Sequence, residues 1–135
     1  MQNADCGFDV TETVTPEQMK RRTQRFALRA ICLAEALPKG RTAEVVARQL
    51  VRSGTSVGAN YRAACRAKSP ADFVSKMHIV EEEVDESVYW MELLVEAKLM
   101  GKDRLEPLMR EADELLAIAV AELQALRARM AAAGL

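Results

Sequence analysis

The acidic run in the second half of the chain comes nearest to a metal-binding pattern. His78 lies three positions before Glu81, and Glu81, Glu82 and Glu83 follow one another directly. A di-metal carboxylate bundle would need inward-facing carboxylates from four helices and a Glu-x-x-His motif on two of them. The chain has one histidine, placed in the reverse order, and its acids spread around most of a helix. We therefore predict no metal site and no cofactor, and expect a solvated acidic face.

Nucleophilic catalysis is not indicated either. Neither a Ser/His/acid set nor a Cys/His set can be argued from the chain's single histidine. The cysteines, Cys6, Cys32 and Cys65, are odd in number and lack metal-ligand spacing. Because Cys32 and Cys65 fall inside apolar helical patterns, we expect both thiols to be buried. These observations favour a protein that is not an enzyme and has no catalytic residues.

The most distinctive stretch is rich in small residues and runs from Arg52 to Tyr61. Gly54 and Gly58 are four residues apart and so share one helix face, although each costs about 1 kcal/mol relative to alanine inside a helix. We interpret the pair as a close helix–helix contact, to which Asn60 adds a hydrogen bond across to a facing helix or at a kink. A ligand pocket above the glycines is the alternative. The stretch is not a phosphate loop, since no Gly-Lys-Ser/Thr follows it.

The net charge of −1 conceals a strong division. Residues 16–68 carry twelve Lys or Arg and three acids, a net of +9, whereas residues 69–135 carry seven bases and fourteen acids, a net of −7. One interpretation is a basic surface that follows a phosphate backbone in RNA or DNA, with weak sequence preference. The other is that basic and acidic helices pair within a subunit or across a subunit interface. The candidate nucleic-acid-binding residues are Arg21, Arg25, Arg29, Arg48 and Arg52.

The elements that carry these residues are predicted to be four helices in a single domain. Apolar residues recur every three to four positions, and Thr15, Thr42 and Ser69 provide helix-start signals. Short links favour an all-α, antiparallel, up-down-up-down four-helix bundle. The first fifteen residues are expected to be a polar arm, and they lack the features of a secretory signal. The bundle occupies 16–135, with helices at about 16–37, 43–68, 70–100 and 104–132.

Composition and surplus apolar residues suggest where the protein works and with what. No apolar stretch approaches the roughly 20 residues that a membrane span needs, so we expect a cytoplasmic protein without membrane contact. The third helix carries apolar residues beyond its core stripe, and Trp90 and Leu93 are the candidate subunit-interface residues. A basic half and an acidic half favour head-to-tail contacts, which close into a ring. We therefore expect a cyclic homo-oligomer.

Helices 1 to 3 contain a distinctive set of segments: Gln49-Leu50-Val51-Arg52-Ser53, Ser56-Val57-Gly58-Ala59-Asn60-Tyr61-Arg62-Ala63-Ala64, Ser69, Asp72-Phe73, Lys76-Met77, Ile79, Glu81-Glu82-Glu83, Glu86 and Tyr89-Trp90-Met91-Glu92-Leu93-Leu94. In these residues the chain resembles the four-helix-bundle family named for the 23S rRNA intervening-sequence proteins, over about residues 19–100. The resemblance implies an antiparallel bundle that assembles into a ring of five subunits, in a family whose biochemical function is mostly undefined. A related branch, the accessory variability determinant of diversity-generating retroelements, uses a basic ring surface to bind nucleic acid and a reverse transcriptase.

Two functional hypotheses follow. The first is a non-enzymatic cytosolic homo-oligomeric scaffold, with weak phosphate-backbone contact through helices 1 and 2. The second is a dedicated nucleic-acid or ribonucleoprotein accessory factor.

Overall fold

The computed structural model describes residues 13–134, so residues 1–12 of the predicted arm, with Cys6, lie outside it. Within that range there are four α-helices and no strand: α1 (Pro16–Glu35), α2 (Arg41–Cys65), α3 (Pro70–Glu96) and α4 (Lys102–Ala132). Each helix contacts the next along the chain, and α1 closes the bundle against α4. The predicted all-α, antiparallel up-down-up-down bundle is confirmed.

Two helix starts follow the expected side-chain caps, and a third does not. Thr15 accepts a hydrogen bond from the Gln18 backbone, and the Gln18 side chain accepts one from the Thr15 backbone, which confirms the capping box. Ser69 caps α3 through the Asp72 backbone N–H at 3.1 Å. The prediction that Thr42 caps α2 is wrong. The Glu44 N–H donates to the Gly40 carbonyl at 3.0 Å, so Gly40 is the N-cap and the helix begins at Arg41.

The helices α1, α2 and α3 end two to four residues before the ends predicted from the sequence. The clearest case is α3, which ends at Glu96 although Gly101 is the first glycine after it. Lys98 adopts a left-handed conformation with φ 59°, and the Leu99 N–H donates back to the Leu94 carbonyl at 2.9 Å. A lysine thus takes the position that glycine usually occupies at a helix end. In contrast, α4 begins at Lys102 and contains Pro107.

The core is formed by the inward stripes of all four helices. Its largest fully buried side chains include Phe26 of α1, Tyr61 of α2, Met91 of α3 and Leu115 of α4. Two buried serines, Ser53 and Ser87, satisfy each other across α2 and α3, with their hydroxyl oxygens 2.9 Å apart. Among the described helices, none is both long and apolar enough to cross a membrane.

Candidate functional site

The exposed side of α1 carries the arginines that the sequence singled out. Arg21 and Arg25 are exposed, and Arg29 is half-buried towards α4. Arg29 lines a cavity of about 210 Å³ that also touches Arg104. Arg104 was not identified from sequence, because it belongs to the acidic half and only the fold brings it beside Arg29. Together these four cations form a band that starts on α1 and continues onto α4.

Few of the cations in residues 16–68, which comprise α1, α2 and the links that follow them, are neutralised by carboxylates among residues 13–134. Three of the twelve form ion pairs among residues 13–134: Arg22 with Glu111 and Glu114, Arg48 with Glu44, and Arg52 with Glu83 and Glu86. The Arg48 pair lies within α2, so only two arginines join the basic helices to the acidic ones. The other nine have no carboxylate partner in that range. They are Lys20, Arg21, Arg25, Arg29, Lys39, Arg41, Arg62, Arg66 and Lys68.

Arg48 and Arg52 therefore differ from Arg21, Arg25 and Arg29 of α1, which form no ion pair among residues 13–134. Arg52 contacts Glu83 and Glu86 on α3, and the hydrogen bonds to these carboxylates raise the pKa of its guanidinium. The Trp90 indole N–H also donates to Glu86, at 3.0 Å. That hydrogen bond, more than the contact with Arg52, lowers the pKa of the Glu86 carboxyl. Arg52 is thus already engaged in holding α2 to α3, whereas Arg48 contacts only Glu44, one turn away on its own helix.

The small residues of α2 lie where α1 crosses it. A Cβ built on Gly54 would stand 2.8 Å from the Ala30 Cβ, and one on Gly58 would stand 3.0 Å from the Thr23 hydroxyl oxygen. Outside Gly58 a shallow cavity of about 200 Å³ opens between the two helices. The floor of this cavity is formed by glycine, alanine and threonine, whose side chains are small or absent. Lys20 and Arg62 stand at its edges.

The side chain of Asn60 hydrogen-bonds within its own helix, α2. Its side-chain amide donates to the Ser56 carbonyl one turn earlier in α2, at 2.9 Å. The Ser56 hydroxyl likewise donates to the Arg52 carbonyl, at 2.7 Å. These bonds stay inside α2, so within residues 13–134 Asn60 makes no hydrogen bond to a facing helix.

The apolar residues of α3 that were expected at a subunit interface are only partly exposed. Trp90 packs against the core, and Leu93 is also half-buried. The more accessible ring is that of Tyr89, which is 52% exposed and makes an edge-on contact with Trp90 at 5.0 Å. Val45 of α2 is equally exposed. The sequence did not identify Tyr89 as a candidate interface residue, because its position is one residue outside the apolar stripe.

The other chemistry-bearing residues form no reactive site within the described range. The prediction that Cys32 and Cys65 are buried is wrong, because each lies on the solvent side of its helix, two residues after buried Ala30 and one after buried Ala64. His78 contacts Glu81 at 2.8 Å and the Arg127 guanidinium at 3.3 Å, and both contacts lie at the surface. Among residues 13–134, no group of three His, Cys, Asp or Glu side chains could hold a metal ion.

Comparison with known proteins agrees with this architecture. The sequence model of the 23S rRNA-intervening sequence protein family matches residues 17–121. A crystal structure of a protein of unknown function from the S23 ribosomal protein family of Bacteroides thetaiotaomicron is 32% identical, with a TM-score of 0.73. The alignment covers 78% of this chain and 97% of that one. No curated protein matches the chain.

Proposed function

Since the chain belongs to the family of 23S rRNA-intervening sequence proteins, we propose that it is a non-enzymatic scaffold that binds RNA through phosphates. The binding surface is the basic face, defined as the unpaired cations Lys20, Arg21, Arg25, Arg29 and Arg62 on α1 and α2. The family's name connects its members with intervening sequences of 23S rRNA, which makes structured RNA the first polyanion to test.

The observation that carries the proposal is the set of nine cations in residues 16–68, six of them on α1 and α2, that form no ion pair with a described carboxylate. Had the charge division served only to hold the helices together, most of these cations would contact α3 or α4. Unpaired Lys and Arg side chains on one face produce a positive field that attracts polyanions and releases their counterions on binding. Charge pairing within the subunit therefore accounts for only a small part of the division.

The shape of the basic face suits a phosphate backbone better than bases. Aromatic residues make up 4% of the chain, and none of them lines the shallow cavity between α1 and α2. Stacking platforms for bases are therefore missing from this groove. Its floor of glycine, alanine and threonine lets a backbone approach closely, while Lys20 and Arg62 stand where phosphate oxygens would pass. Contacts of this kind position a nucleic acid without reading its sequence.

Fluorescence anisotropy with a labelled, structured RNA tests the proposal across a salt series. We expect the logarithm of the association constant to fall linearly with the logarithm of salt concentration. Replacing Arg21, Arg25 and Arg29 together by Gln should weaken binding at low salt. It should also flatten the slope, by about 0.7 to 0.9 for each phosphate that the variant no longer neutralises.

A matched variant separates a specific surface from total charge. Replacing Lys98, Lys102 and Arg110 by Gln removes the same charge from the acidic half and should leave the salt slope unchanged. The proposal fails if wild-type protein does not bind RNA at about 50 mM salt, where phosphate contacts are strong. It also fails if the α1 variant binds RNA normally but has a lower mass in solution, because the arginines would then pair across a subunit interface.

Self-association is the second part of the proposed function, and a separate observation favours it. Tyr89 on α3 and Val45 on the neighbouring helix α2 are each 52% exposed, and Tyr89 contacts the half-buried Trp90 of α3, which also carries half-buried Leu93. We propose that a second copy covers this apolar patch, with its basic helices facing the acids of α3, and that a head-to-tail ring of five subunits results. Light scattering should then give five times the chain mass of 15.0 kDa.

A further inference from the structure

A cavity of about 510 Å³ opens at the end of the bundle where α1 and α3 begin and α2 ends. The C-terminal part of α4 forms its fourth side. Its volume falls in the usual range for small-molecule sites, about 300 to 1,000 Å³. It lies apart from the groove over Gly58, although Lys20 borders both. Nothing in the RNA-binding proposal uses it.

Glu122 lies on the inner wall of the cavity, and only one of its two carboxylate oxygens accepts a hydrogen bond. The Tyr61 hydroxyl donates to Glu122 Oε1 at 3.1 Å. Glu122 Oε2 has less than 1 Å² of accessible surface and no hydrogen-bond partner among residues 13–134. A buried polar atom without a partner normally costs free energy, so each instance in a native fold calls for an explanation.

The surroundings of Glu122 make this arrangement costly for the folded chain alone. Burial raises the pKa of the Glu122 carboxyl, and burial together with the nearby carboxylate raises the pKa of the Tyr61 hydroxyl. A glutamine at position 122 could accept the same hydrogen bond from Tyr61 without burying a charge. Because Oε2 is covered in this conformation, a donor that enters the cavity bonds to it once the carboxylate turns towards the opening. That bond would account for the carboxylate, since charge-assisted hydrogen bonds are the stronger kind.

The rest of the lining indicates what the other end of such a molecule carries. Phe73, Ala64 and Leu126 provide an apolar wall between the inner carboxylate and the opening. Lys20 and Arg129 border the opening, and neither forms an ion pair within the part of the chain that the structure describes. Glu17 lines the cavity as well, but the two unpaired cations outnumber it, so the lining disfavours a second positive charge at that end and favours an anionic group.

We propose that this cavity binds a small zwitterion, the chemical class of a short amino acid. Its ammonium group donates to Glu122 Oε2, its methylene chain lies against Phe73 and Leu126, and its carboxylate meets Lys20 and Arg129.

Calorimetric titration of the full chain with 5-aminopentanoate tests the proposal, with pentylammonium and pentanoate as probes that carry one end each. We expect the zwitterion to bind at least about tenfold more tightly than either single-ended probe, because each end contributes a hydrogen bond to a charged group. Glu122→Gln should weaken zwitterion binding at least about tenfold and leave pentanoate binding unchanged.

Glu82→Gln is the matched control, since Glu82 is exposed on α3 and lies outside the cavity. It should bind the zwitterion like wild type. Circular dichroism checks that Glu122→Gln remains folded, and RNA binding by this variant should equal that of wild type. The proposal is overturned if the zwitterion does not bind wild type up to about 10 mM, a range suited to so small a ligand. Equal binding by wild type and Glu122→Gln would overturn it as well.

Discussion

Gly54 is a position where the bundle has no room for even one methyl group. Its neighbour across the helix contact is the Cβ of Ala30, which is fixed to the α1 backbone and cannot turn aside. At Gly58 the neighbouring group is the Thr23 side chain, whose hydroxyl donates to the Lys20 carbonyl at 3.1 Å. Because a hydroxyl group can rotate, we expect Gly58 to tolerate alanine better than Gly54 does.

Gly54→Ala should therefore lower the free energy of unfolding. Overpacking costs about 1–3 kcal/mol, and a contact of 2.8 Å to a carbon fixed to the backbone belongs in the upper part of that range. The better helix propensity of alanine recovers roughly 1 kcal/mol, so we expect a net loss of about 1–2 kcal/mol. Adding Ala30→Gly should restore part of the loss, because it frees the space that the new methyl group needs. Adding Ala34→Gly, one turn further along α1, should not. Urea denaturation measures all three, and a Gly54→Ala variant as stable as wild type would contradict the 2.8 Å contact.

Glu122 gives the folded chain a pH dependence of its own. Its pKa is raised by burial, so its contribution to stability is complete below the ordinary glutamate pKa of about 4.3 and is lost as pH rises through the raised pKa. The charged or titratable groups around its cavity are Tyr61 and Cys65 from α2, Glu17 and Lys20 from α1, and Arg129 from α4, with none from α3.

We therefore expect Glu122→Gln to be more stable than wild type at about pH 8 and equal to it at about pH 4. Urea denaturation at the two pH values measures the difference. Tyr61→Phe tests the role of the hydrogen bond, since its loss should increase the pH dependence of the protein that retains Glu122. If the free energies of unfolding of Glu122→Gln and wild type differ by the same amount at both pH values, the pKa of Glu122 is not raised.

Among the elements, the helices themselves could be predicted from sequence because each carries a sustained apolar stripe and two have a clear start signal, Thr15 or Ser69. The end of α3 could not be predicted. The apolar pattern continues to Met100, which is buried, although the helix ends at Glu96. Met100 is buried because the chain turns at Lys98 after the helix has ended. That turn could not be predicted, since lysine rarely adopts a left-handed conformation.

That turn makes Lys98 a position where glycine should stabilise the protein. A non-glycine residue at φ 59° carries a cost of about 1 kcal/mol that glycine avoids. Lys98→Gly should therefore raise the melting temperature by a few degrees, as expected for about 1 kcal/mol in a domain of this size. The same substitution at Ala97, which has φ −80°, should lower it. A destabilised Lys98→Gly variant would contradict the left-handed turn.

For the whole molecule, the sequence reveals the division into a basic and an acidic half, but it does not reveal which cations contact the acidic helices. Only the fold distinguishes Arg22 and Arg52, which contact the acidic helices, from Arg21 and Arg25, which do not. The cavity around Glu122 is likewise invisible in the sequence. Its lining comes from all four helices, and residues as far apart as Lys20 and Arg129 meet only once the bundle is closed.

Tyr89→Glu tests the proposed ring at the scale of the assembly. A charge placed in the apolar patch should make burial against a second copy unfavourable, so the mass in solution should fall towards one chain. The fold should survive because the Tyr89 side chain is largely exposed. Ala117→Glu adds the same charge at an exposed position on α4 and should leave the mass unchanged. Wild-type protein that is monomeric at micromolar concentration would contradict the proposal.

The contact between α1 and α4 has a consequence for the order in which the chain folds. The other three helix pairs are neighbours in sequence and can form as local hairpins, which favours rapid folding. The α1–α4 seam instead joins residues about ninety positions apart, where Arg22 donates two hydrogen bonds to Glu111 and one to Glu114. We expect this seam to form after the transition state, so the loss of Arg22 would speed unfolding and leave the folding rate unchanged.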